Sequence, residues 1–128
     1  MINAVHTLIY SDDPEATRGF MRDVLGWPSF EHAESEPGWL IFKTGPSELG
    51  VHPTSYSYGG VEHSHPQHHS VSLMCDDVRA TRAELESKGA TFSDEIQDLG
   101  FGLGTTLELP GAGGILLYEP AYPPAHGL

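Results

Sequence analysis

DDPEATR at residues 12–18 and DDVRATR at residues 76–82 agree at five of seven positions, at a constant offset of 64 in a chain of 128 residues. Each stretch is suited to starting a helix. The aspartates offer side-chain oxygens to the free N–H groups of a first turn, and Pro14 fits the first helical position, where its missing N–H is no loss. Beyond the first copy, Ala16, Phe20 and Val24, with Met21 and Leu25 beside them, form an apolar stripe at helical spacing. Gly26 is placed to end that helix. From the second copy onward, Val78, Thr81 and Leu85 share one side, and Gly89 ends the run.

The order of elements around the two stretches repeats as well. NAVHTLIY (3–10) is a β-rich run before the first helix; PSFEHAE (28–34), GWLIFKT (38–44) and SELGVHP (47–53) follow it between Pro, Gly and Ser punctuation. HSVSLMC (69–75) precedes the second helix, and ATFSDEI (90–96), GTTLELP (104–110) and GGILLYEP (113–120) follow. Each half reads β-α-β-β-β, so the expected class is α+β. A lone sheet of about four strands leaves one face bare, and pairing two such modules covers it. The expected organisation is a single domain over 1–128, with modules at about 1–56 and 69–122. The segment TSYSYGGVEHSHPQH (54–68) reads as a polar connector.

Composition narrows the function. With 38% hydrophobic residues, 128 residues can bury roughly two-thirds of their unfolded surface in one domain. A net charge of −12 with only six Lys and Arg argues against nucleic acid, whose phosphates need a basic footprint, and favours neutral or cationic ligands. Nothing approaches the roughly eighteen apolar residues of a membrane span, and Met1-Ile2-Asn3 does not begin a signal peptide. Cys75, the single cysteine, forms no internal disulfide, which points to a reducing cytoplasm.

Three stretches carry a family resemblance: VHTLIYSDDPEATRGFMRDVLGW (5–27), SVSLMCDDVRATRAELESKGATF (70–92) and LELPGAGGILLYEP (107–120). The chain resembles the vicinal oxygen chelate superfamily, which includes glyoxalase I, extradiol dioxygenases, and bleomycin- and fosfomycin-resistance proteins. The resemblance implies two βαβββ modules paired into a curved mixed sheet around a cleft, often completed by a second subunit, hence a homodimer. It also implies that a divalent metal, where present, is held by inward residues on the first and last strands of each module. Such a scaffold hosts many chemistries.

Each corner of that implied site can be read separately. His6 falls where the family places its first histidine ligand. The 64-residue offset makes Ser70, not His69, its counterpart, and serine is a poor ligand for zinc or iron. In the closing strand Leu116 occupies the position where metal-binding relatives carry a glutamate, and strand alternation sends Glu119 to the opposite face. Glu48 and His52 share one face of the first module's last run. Zinc needs roughly three or four protein ligands, and non-haem iron two histidines with a carboxylate. No metal or other cofactor is therefore expected; the alternative is one zinc, nickel, manganese or iron ion on His6 with Glu48 or His52.

Other chemistries are thinner. His63, His65, His68 and His69 stand in VEHSHPQHH, a histidine-rich connector that suits adventitious metal better than a built site. Cys75 has no adjacent basic residue and reads as a small buried thiol. No G-x-S-x-G elbow organises a catalytic triad, and LGFGLG (99–104) is a strand edge or flap, not a phosphate cradle. Trp27, Trp39, Phe42, Phe101 and Tyr118 are candidates for an apolar pocket wall. Two readings stay open. One is a small-molecule-binding protein of the glyoxalase/bleomycin-resistance type, with His6, Glu48, His52, Ser70 and Leu116 lining the cleft. The other is a metal-dependent enzyme of glyoxalase (lyase) or extradiol dioxygenase type. A scaffold kept for protein contacts is the plain third option.

Overall fold

The computed structural model describes residues 6–31, 38–51 and 53–128. The chain runs helix α1 (Pro14–Asp23), strands β1 (Ser29–Glu31), β2 (Leu40–Phe42), β3 (Ser55–Tyr58), β4 (Val61–Ser64) and β5 (Ser72–Met74), then helix α2 (Val78–Ser87). Strands β6 (Gln97–Asp98), β7 (Gly102–Leu109) and β8 (Gly113–Pro120) and a short 3-10 turn at Ala125–Gly127 complete it. Both helices are ten residues long and keep the 64-residue offset of the repeat. The second aspartate of each pair is the cap. Asp13 Oδ1 accepts from the Ala16 N–H at 3.2 Å, and Asp77 Oδ1 from the Ala80 N–H at 3.0 Å. The class is α+β, as expected.

The second half forms a full βαβββ unit. Its sheet has the order β5-β8-β7-β6, with β5 parallel to β8 and the other pairs antiparallel. The long β7–β8 ladder runs from Gly102 opposite Pro120 to Leu109 opposite Gly113. Alternation along it turns Leu107, Leu109, Ile115 and Leu117 to one face, where they bury with Val78 and Leu85 of α2 and Met21 of α1. Burying such a side chain is worth roughly 1.5–3 kcal/mol. A helix of the first half thus packs on the sheet of the second. Polar ties fix its start: the Asp12 N–H donates to the Gly111 carbonyl at 2.8 Å, and the buried Thr17 hydroxyl donates to the Pro110 carbonyl.

The first half is sparser. β1 and β2 form an antiparallel pair, with Phe30 opposite Ile41, and Phe42 meets Trp27 edge-on at 6.5 Å. The runs 3–10 and 47–53 were both expected to be strands. Of these, the described residues 6–10, 47–51 and 53 are irregular, and Leu8, Tyr10, Leu49 and Val51 are exposed. Their counterparts under the offset are β5 and β8, which hold each other in the second half. SELGVHP carries Gly50 mid-run and ends at Pro53, which has no N–H to give a ladder.

Three smaller expectations also shift. The 69–75 strand shortens to Ser72–Met74. The 90–96 run makes a single bridge, Phe92 to Leu107, and the strand moves on to Gln97–Asp98. There the Asp94 carboxylate replaces the ladder, accepting from the Thr106 N–H at 2.7 Å, the Thr106 hydroxyl at 2.9 Å and the Thr105 hydroxyl at 3.0 Å. The polar connector holds an element after all: β3 and β4 pair as a hairpin around Gly59-Gly60, with φ of 58° and 78°. Two positive φ values are what a tight hairpin turn demands, and Gly-Gly provides them. Among the described residues no helix is long and apolar enough to cross a membrane.

Two stability tests follow. Leu107→Ala should lower unfolding free energy by about 2–5 kcal/mol in urea titrations, since Leu107 is fully buried. Asp94→Ala, which orphans the Thr106 N–H, should lower it by about 1–3 kcal/mol. The Thr106 N–H, ahead of the two hydroxyls and Arg82, holds the Asp94 carboxyl below its usual range. That stabilisation is present above the unfolded carboxyl value of about 4 and lost as pH falls through the lower folded value. The gap between wild type and Asp94→Ala should therefore close in strongly acidic solution.

Candidate functional site

The ladder that buries one face of the sheet also defines the other. Gly104, Thr106 and Glu108 of β7, Gly114, Leu116 and Tyr118 of β8, and Ser72 and Met74 of β5 point away from the helices, with Leu116 directly opposite both Thr106 and Ser72. Leu116, Thr106 and Met74 are half-buried. Two glycines of LGFGLG, Gly102 and Gly104, lie in this strand where a side chain would clash. A Cβ on Gly102 would sit 2.2 Å from the Glu119 carbonyl oxygen, and one on Gly104 would meet Leu99 and Leu116.

At one end of this face the two halves meet. Glu48 reaches over from the first half and its Oε1 accepts from the Tyr122 hydroxyl at 2.5 Å; its Oε2 accepts from the Ala125 N–H at 2.8 Å. The Tyr118 hydroxyl lies 2.6 Å from that of Tyr122 and 3.5 Å from Glu48 Oε1. Two phenolic protons serve these three contacts, so the shorter distances set the relay: Tyr118 donates to Tyr122, and Tyr122 to Glu48. Phe101 stands edge-on to Tyr118 at 5.2 Å, and its carbonyl accepts from the Ala121 N–H at 2.8 Å. The C-terminal residues are thereby fixed to both halves. The Tyr122 hydrogen bond, then the Ala125 N–H, hold the Glu48 carboxyl below its usual range. The same bond to Glu48, with that to Tyr118, pushes the Tyr122 phenol well above its ordinary value.

The sequence-predicted residues fare unequally. Glu48 and Leu116 belong to this face. Ser70 is exposed, two residues before β5 begins, and His6 is exposed on the irregular segment before α1. His6 is not among the hydrogen-bond partners of Glu48. His52 lies outside the described residues. Glu119 points to the helix face, as alternation requires, where its Oε1 accepts from the Val78 N–H at 3.1 Å. Cys75 is half-buried, and burial raises its thiol pKa, which suits packing and not attack. Tyr122 was missed. Its partner is 74 residues away, and no local pattern announces such a contact.

Among the described residues, no group of three His, Cys, Asp or Glu side chains is placed to hold a metal ion. Around Glu48 the neighbours are two neutral phenols and an amide N–H, and the aligned position in β8 is Leu116. Among the described residues, the partners of Glu48 add no histidine or second carboxylate and so do not fit the family-type metal. The connector histidines stack instead of converging: Tyr56 lies against His63 at 4.9 Å and His65 at 5.8 Å, and His65 against His68 at 6.1 Å. A cavity of about 310 Å³ opens at β1–β2 beside Phe30, Ile41, Phe42 and Lys43. Among the described residues Lys43 is its one ionisable group, and the rest of that lining offers mainly apolar contact.

The relay makes a spectroscopic prediction. In ultraviolet titration one tyrosine should ionise well above the ordinary phenol range of about 10. Tyr122→Phe should remove that step, and Glu48→Gln should bring it down toward the ordinary range. An unchanged titration in both variants would contradict the relay.

Comparison with known proteins agrees with the fold. A family model described as Glyoxalase/Bleomycin resistance protein/Dioxygenase superfamily matches residues 3–120. No curated protein matches the chain significantly. Among solved structures, the chain is similar to TnmS3, an antibiotic binding protein from Streptomyces sp. CB03234, at 20% identity and a TM-score of 0.59, covering 94% of this chain and 100% of that one. It is also similar to lactoylglutathione lyase from Agrobacterium tumefaciens, at 17% identity and a TM-score of 0.58, covering 91% and 93%. At such identity these likenesses concern the fold. The family match spans nearly the whole chain, so the chain belongs to the Glyoxalase/Bleomycin resistance protein/Dioxygenase superfamily.

Proposed function

We propose that this superfamily member is a small-molecule-binding protein whose ligand lies on the face of the β5-β8-β7-β6 sheet opposite the helices, without a resident metal. One observation supports this above the rest. Where a closing-strand carboxylate would stand, Leu116 presents a half-buried apolar side chain flanked by Thr106 and Ser72. Such a surface suits the apolar body of an organic molecule, with a few polar groups to orient it. Glu48 and the tyrosine hydroxyls supply those groups at one end, and Ser70, His6 and His52 remain candidate cleft residues at the edges. The likeness to an antibiotic-binding protein supports the same reading, with natural-product antibiotics as the first ligands to try.

The two modules form one domain in this account, and two chains pair as a homodimer, giving the exposed apolar segments near Leu8 and Leu49 a place to bury. The protein works in a reducing cytoplasm, with Cys75 unpaired.

Binding is tested by thermal shift with a collection of natural-product antibiotics. At least one compound should raise the melting temperature by a few degrees, the response of a ligand well above its Kd. Leu116→Arg should abolish that shift while leaving the circular dichroism spectrum intact. The metal-free part is tested on protein purified without a histidine tag. Stoichiometric zinc, nickel, manganese or iron that disappears in His6→Ala would overturn it in favour of the metal-dependent enzyme.

A further inference from the structure

Where Glu48 meets the C-terminal residues, no ion pair among the described residues joins its carboxylate to a cation. The ion pairs among the described residues join Arg22 to Asp23, Arg82 to Glu86 and Lys88 to Glu84. Arg18 lies over the Trp39 ring at 4.8 Å. Glu48, although half-buried, has only neutral donors: the Tyr122 hydroxyl on Oε1, the Ala125 N–H on Oε2, and the distant Tyr118 hydroxyl. His126, in the 3-10 turn, is the base whose charge acts on it.

A carboxylate has about four lone-pair directions. Two short hydrogen bonds leave one free on each oxygen, with no ion pair made. Tyr122, 37% exposed, bonds the carboxylate directly, and Phe101, 47% exposed, packs edge-on to the buried Tyr118, whose hydroxyl lies 3.5 Å from Glu48 Oε1. A carboxylate next to exposed aromatic rings attracts an organic cation twice over, by charge and by the negative faces of the rings. An anionic ligand would meet only repulsion from Glu48 and from a chain of net charge −12.

We propose that the Glu48–Tyr122–Phe101 corner receives the protonated amine of a small organic ligand whose apolar body runs along Leu116 and Thr106. This rests on the small-molecule-binding reading and adds to it the chemical class of the ligand. Glu48 makes the ion pair. Tyr122 holds the carboxylate in place, and its own hydroxyl oxygen is taken by the Tyr118 proton, so it contributes its ring. Phe101 forms the second wall, set by its edge contact to Tyr118.

The test uses two matched probes, 1-naphthylmethylamine and its neutral counterpart 1-naphthylmethanol, titrated into nitrogen-15-labelled full-length protein at neutral pH. The amine should bind about tenfold more tightly than the alcohol, and should move the Ala121 and Ala125 amide signals. Glu48→Gln should remove that preference by weakening amine binding more than alcohol binding. Glu108→Gln, on the same face, should keep the preference. Tyr122→Phe should weaken amine binding more than alcohol binding, which keeps the proposal testable if Glu48→Gln unfolds. Equal affinity for both probes in wild type, or an amine preference that survives Glu48→Gln, would overturn the amine assignment while the alcohol still reports a binding face. If neither probe binds at millimolar concentration, both this assignment and the broader reading fail.

Discussion

The pairing of β7 with β8 is the constraint on which the rest depends. Its eight-residue register decides which leucines meet the helices and which face away from them. With Thr105 opposite Leu117 and Thr106 opposite Leu116, adjacent residues go to opposite faces and do opposite jobs. A slip of β7 by one residue would turn Leu107 and Leu109 outward and drive Thr106 and Glu108 into the core. The glycines at 102 and 104 belong to the same constraint, since their missing side chains let Glu119 and Leu116 come as close as they do.

Both faces of that sheet receive residues from the first half of the chain. On one, α1 places Met21 among Leu107, Leu109 and Ile115, and its start is tied to the β7–β8 turn through Asp12 and Thr17. On the other, Glu48 comes back and fixes Tyr122 and Ala125. The helix contact is mainly apolar and serves stability. The Glu48 contact is polar and ties the first half to the C-terminal residues.

Much of this was legible in the sequence, and the limits have physical causes. The twin DDxxATR stretches fixed both helices, because an aspartate cap is a local interaction, complete within four residues. The alternation in GGILLYEP separated Leu116 from Glu119, and the structure sends them to opposite faces. The hairpin at 55–64 was present in Tyr58-Gly59-Gly60-Val61, but its serines and histidines made it read as a connector. The runs 3–10 and 47–53 had strand composition, yet a strand exists only through its neighbour, and composition does not report pairing. Tyr122 was hidden for the same reason: its partner, Glu48, lies far off in the chain. Of the candidate site residues, Glu48 and Leu116 lie on the sheet face opposite the helices, His6 and Ser70 are exposed on irregular segments, and His52 lies outside the described residues.

The central claim is that ligand binds the sheet face opposite the helices, and methyl-resolved NMR tests it most directly. Leucine-methyl-labelled protein, titrated with a compound that raises its melting temperature, should show shifts at Leu116, with intermolecular contacts from its methyls to the ligand. The Leu107 and Leu117 methyls, on the helix face of the same strands, should stay in place. Ligand contacts at Leu107 and Leu117 with Leu116 unmoved, or contacts confined to Phe30 and Ile41 beside the β1–β2 cavity, would contradict the account.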